Sequence, residues 1–129
     1  MAARISPAEA QVMEAVWAAG PEGLAAADLV AAVGPRQGWR ETTVRTLVHR
    51  LIRKGVLTAS RGAGGGAAYR AQLSRDAWVG EQTRGLVNRL FDGQMAALVA
   101  HLARDRTAAP EDLARLRRLL AELDGEDED

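Results

Sequence analysis

Between Thr42 and Lys54 the 129-residue chain sets out Thr42, Thr43, Arg45, Thr46, His49, Arg50, Arg53 and Lys54. These are the side-chain types that read a DNA duplex. Arginine, threonine and histidine hydrogen-bond to base edges in the major groove. Arginine and lysine also neutralise phosphates. Interleaved with them, Val44, Leu47, Val48, Leu51 and Ile52 fall at i, i+3, i+4, i+7 and i+8. That spacing is the apolar stripe of one α-helix. Thr42, Thr46, His49, Arg50 and Arg53 then lie opposite the stripe, with Thr43, Arg45 and Lys54 at its margins. Basic residues near a helix C-terminus also stabilise the helix dipole, which accounts for Arg53 and Lys54 without a ligand. Arg45 and Arg50 have no such explanation.

Other chemistries find little support. The chain has no cysteine, which removes disulfides, thiolate metal sites and thiol nucleophiles together. Its two histidines, His49 and His101, lie far apart and form no metal-binding spacing. Acidic residues are scattered over helix surfaces and are spaced to pair with neighbouring arginines, as Glu111 is with Arg115 at i, i+4. The glycine-rich run Gly62-Ala63-Gly64-Gly65-Gly66 has neither phosphate-loop spacing nor a strand-to-helix setting. It reads as the tip of a hairpin, from which Arg61 and Arg70 reach towards phosphate or minor groove. No catalytic residues, metal site or cofactor are expected, and the chain does not read as an enzyme.

The elements that position the candidate face follow from periodicity and punctuation. Ser6-Pro7-Ala8-Glu9 is a capping box with proline at the first helical position. It predicts a helix over about 7–19 carrying Ala10, Met13, Val16 and Trp17 and ending at Gly20-Pro21. Leu24 belongs to a short extended piece. A second helix over about 26–33 carries Leu29, Val30 and Val33 and stops at Gly34-Pro35. The third helix starts at Thr42 or its neighbour and is capped by Gly55. Strands at 56–60 and 67–73 flank the glycine tip. Three helices followed by a hairpin is the winged-helix order. Ser74 caps a fourth helix over about 75–91, broken by Asp92-Gly93. A fifth spans about 94–104 and a sixth about 110–123. Trp17, Trp39 and Trp78 sit at segment ends and are expected to pack between elements.

The fold class is therefore mostly α with a small β-hairpin: an N-terminal winged helix-turn-helix over 1–74, then a three-helix dimerisation domain over 75–123. An acidic tail at 124–129 is expected to be disordered. Three short amphipathic helices cannot bury their own leucines, and a second copy is the simplest cover. Charge follows the same division. Lys and Arg number 17, as do Asp and Glu, so the formal net charge is zero. Through Arg75, however, ten basic residues face five acidic ones, and the remainder carries seven basic against twelve acidic. Neutrality is thus a basic half, densest over 36–61, joined to an acidic half. Aromatic residues are only 4%, so the core must be aliphatic and no stacking ladder for single strands is available. No apolar run approaches the roughly 20 residues of a membrane span, and no signal peptide is evident, which points to the cytoplasm. A winged-helix adaptor that binds protein without DNA is the competing reading.

With these residues in view, the chain resembles the penicillinase-repressor (BlaI/MecI/CopY) family. The resemblance rests on the stretch from Ser6 to Trp17, on Trp39, on Thr43 to Gly55 and on Tyr69. Downstream it continues through Leu90-Phe91-Asp92-Gly93, Leu98-Val99 and Pro110-Glu111-Asp112-Leu113. It implies a homodimeric transcriptional repressor whose winged helix binds a dyad-symmetric operator on double-stranded DNA. The recognition helix would be Thr42 to Lys54 and the wing Arg61 to Ala68. Leu86, Leu90, Phe91, Met95, Leu98, Val99, Leu102, Leu116 and Leu120 would form the dimer surface. In β-lactam-responsive members a membrane sensor protease leads to cleavage of an Asn-Phe bond in the fifth helix. The corresponding pair here is His101-Leu102, a departure from that pattern. Copper-responsive members carry a C-terminal cysteine motif, which this chain lacks. Glycines replace the usual basic wing tip, and Thr42 stands where a lysine is often found.

Overall fold

The computed structural model describes residues 4–62, 64–105 and 109–127. Helix α1 spans Pro7–Ala19. The Ser6 hydroxyl accepts the Glu9 N–H at 3.1 Å, and the Glu9 carboxylate accepts the Ser6 N–H at 2.8 Å. Two helix-end donors are thereby satisfied reciprocally, as the capping box requires.

Helix α2 spans Ala26–Gln37 and runs past the stop expected at Gly34-Pro35. Pro35 sits in its last turn, where the missing N–H forfeits one helical bond only. The helix ends instead at Gly38, whose φ of 71° is left-handed, and the Trp39 N–H closes on the Gly34 carbonyl at 2.9 Å. Helix α3 spans Glu41–Arg53. Its end is a Schellman turn. Gly55, at φ 79°, bonds to the Ile52 carbonyl at 3.0 Å, and Val56 bonds to that of Leu51 at 3.1 Å.

The core is aliphatic, as the composition demands. Val12, Met13 and Val16 of α1 meet Leu29 and Val33 of α2, the α3 stripe Val44, Leu47, Val48 and Leu51, and Val56 and Leu57. Trp17, Trp39 and Tyr69 pack around its edge. Trp17 stacks on Trp78 with ring centroids 5.4 Å apart and donates its indole N–H to the Leu73 carbonyl at 2.9 Å.

Strands β1 (Leu24–Ala25), β2 (Leu57–Arg61) and β3 (Ala67–Ala71) form an antiparallel sheet in the order β1-β3-β2. The expected hairpin is present, and the extended piece at Leu24 pairs with Tyr69 as a third strand. Gly23 makes that approach possible. Its φ is 88°, and a Cβ there would lie 2.5 Å from the Tyr69 carbonyl oxygen. Ala63, in the hairpin tip, lies outside the described residues.

Helices α4 (Arg75–Phe91), α5 (Met95–Arg104) and α6 (Pro110–Asp127) follow. The Ser74 hydroxyl caps α4 by accepting the Ala77 N–H at 3.1 Å. Asp92 and Gly93, both at positive φ, end it. Helix α6 continues four residues beyond the end expected at Leu123, to Asp127. The apolar stripe stops at Leu123, but extending an existing helix by a few residues requires no new nucleus. Glu128 and Asp129 lie outside the described residues. The chain divides into two compact units, residues 1–81 and 82–129. The division falls inside α4 rather than at 74/75. Trp78 packs on Trp17, and the Arg75 guanidinium meets Glu14 at 2.8 Å, so the first turns of α4 belong with α1.

Candidate nucleic-acid interface

Helix α3 buries its stripe from Val44 to Leu51, leaves Ile52 half-buried and exposes the polar residues opposite. Val44, Leu47, Val48 and Leu51 are buried, while Thr42, Thr43, Arg45, Thr46, His49, Arg50, Arg53 and Lys54 are all exposed. The Thr46 hydroxyl donates to the Thr42 carbonyl at 2.9 Å, a bond within the helix. Arg45 pairs with Glu41, one turn earlier, at 2.7 Å. Both partners are more than half exposed, so this pair is held weakly and Arg45 is free to exchange it for another anion.

The wing brings a second wall towards this face. A groove of about 660 Å³ lies between the start of α2, α3 and the hairpin. Arg45 and His49 line it from α3, Gly64, Gly66 and Ala67 from the hairpin, and Tyr69 from β3. Cross-strand pairing of Arg61 with Ala67 and of Ala59 with Tyr69 puts Arg61 on the Tyr69 side of the sheet. Arg70 falls on the other side, opposite Thr58, and donates to the Glu22 carbonyl at 3.3 Å. Of the two wing arginines expected to reach DNA, only Arg61 therefore shares the groove-lining side.

Lys54 differs from the rest of its face. Its ammonium contacts the Glu9 carboxylate at 2.6 Å and the Arg4 carbonyl oxygen at 2.6 Å. Glu9 is only 1% exposed. Burial alone would raise its pKa, but the Lys54 hydrogen bond, the Ser6 N–H and hydroxyl, and the Lys54 charge together hold it below the ordinary carboxylate value. The capping box accounts for only part of what Glu9 does. Its spacing of three, four and seven residues to Val12, Met13 and Val16 also puts it on the buried stripe, a signal that marks a carboxylate in need of a partner.

The remaining site residues lie in the second unit. No side chain of α4 or α5 is buried, and none of the described side chains of α6 is. Leu86, Phe91, Leu98, Val99 and Leu116 are half-buried, whereas Leu90, Met95, Leu102 and Leu120 are exposed. Leu119 and Leu123, which were not among the residues expected on this surface, are exposed as well. His101 and Leu102 are both exposed on α5, and the His101 ring lies 6.0 Å from that of Phe91. Among the described residues no helix is long and apolar enough to cross a membrane.

A helical body whose third helix shows a basic, polar outer face, followed by a hairpin that walls one side of it, is a winged-helix DNA-binding module. The sequence matches the penicillinase repressor family model over residues 5–122, and the chain belongs to that family of transcriptional regulators rather than to the enzymes. It is 22% identical over 119 residues to the penicillinase repressor of Bacillus licheniformis, covering 92% of this chain and 91% of that one. To the penicillinase repressor of Staphylococcus aureus it is 24% identical, with 92% of each covered. An uncharacterized 16.5 kDa protein of Latilactobacillus sakei is 28% identical over 116 residues, 90% of this chain and 77% of that protein. Among solved structures, the DNA-binding domain of the repressor BlaI superposes with a TM-score of 0.51 at 24% identity, covering 58% of this chain and 88% of that one. Wild-type MarR from E. coli, in its apo form, gives 0.53 at 17% identity over 92% of this chain and 77% of its own. At these identities the structural likeness is one of fold.

Proposed function

We propose that this repressor acts as a homodimer on a dyad-symmetric operator, with α3 of each copy in the major groove and the wing beside it. The observation that carries the reading is the division of α3: every apolar stripe residue from Val44 to Leu51 is buried, and all eight candidate contacts are exposed. Thr42, Thr43, Thr46, His49 and Arg50 reach base edges, whereas Arg45, Arg53 and Arg61 neutralise phosphate. Dimerisation is supported by the second unit, where Leu90 is 67% and Met95 66% exposed on helices with no buried side chain. One module of this size buries too little DNA for specific affinity, and two linked half-site contacts multiply. Selection by the purified protein from a randomised duplex pool tests the reading. The expected product is an inverted repeat with half-sites about 10 base pairs apart or a multiple of that. A pool that stays unenriched contradicts it.

A further inference from the structure

We infer that Lys54 is a positioning residue for the recognition helix and not one of its DNA contacts; the inference rests on the proposed role of α3. Lys54 stands at the C-cap of α3, where a cation complements the helix dipole. Glu9 stands in the first turn of α1, where an anion does the same. The two helix ends meet through one hydrogen bond of 2.6 Å, and the same ammonium holds the Arg4 carbonyl oxygen at 2.6 Å. The second Glu9 oxygen, Oε2, is buried and has no hydrogen-bond partner among the described residues. Lys54 is thus the cation that compensates a carboxylate enclosed by protein. Moving it to a DNA phosphate would leave that charge buried and unpaired, a far larger penalty than one solvent-screened phosphate contact returns.

The remaining grip on α3 lacks direction. Its stripe is aliphatic, and apolar contact tolerates small slides and rolls. The polar side chains Thr46 and Arg45 bond within α3 itself and tie it to nothing else. Base-edge hydrogen bonds are strict in distance and angle, so a helix read by the major groove needs a directional anchor. Lys54 with Glu9 supplies it at the C-terminal end.

Equilibrium titrations separate the two roles. They use the duplex that the wild-type protein selects from a random pool and a scrambled duplex of equal length, each across a range of salt. The variants are Lys54→Met, the double variant Glu9→Gln/Lys54→Met, which buries no unpaired charge, and Arg50→Ala as a reference. All are measured well below their melting temperatures. For the two Lys54 variants, affinity for the selected duplex falls about tenfold, the size of one lost base contact. Affinity for the scrambled duplex and the salt slope stay at wild-type values, which loss of overall stability would not produce. A uniform loss on both duplexes, with the salt slope reduced by about one, makes Lys54 a phosphate contact and overturns the inference. Wild-type affinity for both duplexes in the double variant overturns it too. If Arg50→Ala alters neither affinity nor slope, the role of α3 itself has failed, which is a separate outcome.

Discussion

Glu41 is the only acid between residues 36 and 61, and it occupies the guanidinium of Arg45, a candidate contact. An exposed i, i+4 pair of this kind holds by less than about 1 kcal/mol. Glu41→Gln frees Arg45 and removes a charge that repels phosphate. It is expected to raise duplex affinity up to about fivefold, as read by anisotropy titration. Glu9 sets a pH dependence of stability. Its folded-state pKa is lowered, so its contribution to stability is fully present above the unfolded value near 4.5 and is lost as pH falls through the folded value. Urea unfolding of the wild type should therefore weaken below that pH, and Glu9→Gln should show a shallower acid limb. At Gly23 the demand is steric: a Cβ at 2.5 Å from a backbone oxygen, on a residue with φ of 88°, has no place to go. Gly23→Ala is expected to cost about 1–3 kcal/mol, lowering the melting temperature by about 4–8 °C per kcal/mol.

Among the elements, those with strong periodicity and clean caps are legible in the sequence. The capping box sets helix α1 and the apolar stripe sets α3, and both helices stand at the expected places. The outward residues of α3 are legible for the same reason, because a buried stripe dictates what faces out. Features that depend on tertiary partners are not. Pro35 reads as a helix stop, yet α2 passes it because one lost bond in a last turn is tolerated and Gly38 provides the turn. Pairing of Leu24 with Tyr69 needs a strand 45 residues away to be in place. Lys54 looks like its basic neighbours until Glu9 is seen beneath it. At this scale the packing of α3 is also testable. Leu51 is fully buried, so Leu51→Ala should destabilise the first unit by about 2–5 kcal/mol in chemical unfolding.

At the scale of the whole molecule, zero net charge conceals a division of labour. The basic excess lies with α3 and the wing, and the acidic excess of the second unit comes from its C-terminal run, Asp124 and Glu126 to Asp129. Under the proposed function the attraction to DNA is directional, and the acidic end restrains non-specific binding. The same division separates the two properties genetically. Leu98→Asp on α5 should give monomers in sedimentation while leaving the first unit folded, and a persistent dimer would remove Leu98 from the proposed interface. The central claim, that α3 reads DNA, is tested most directly by one titration. Duplex affinity of the wild type and of an Arg45→Ala/Arg50→Ala variant is measured against salt concentration. The wild type should show a steep linear fall of log affinity with log salt, and the double variant weaker binding with a slope shallower by about one to two. Equal affinities and equal slopes for the two proteins would contradict it.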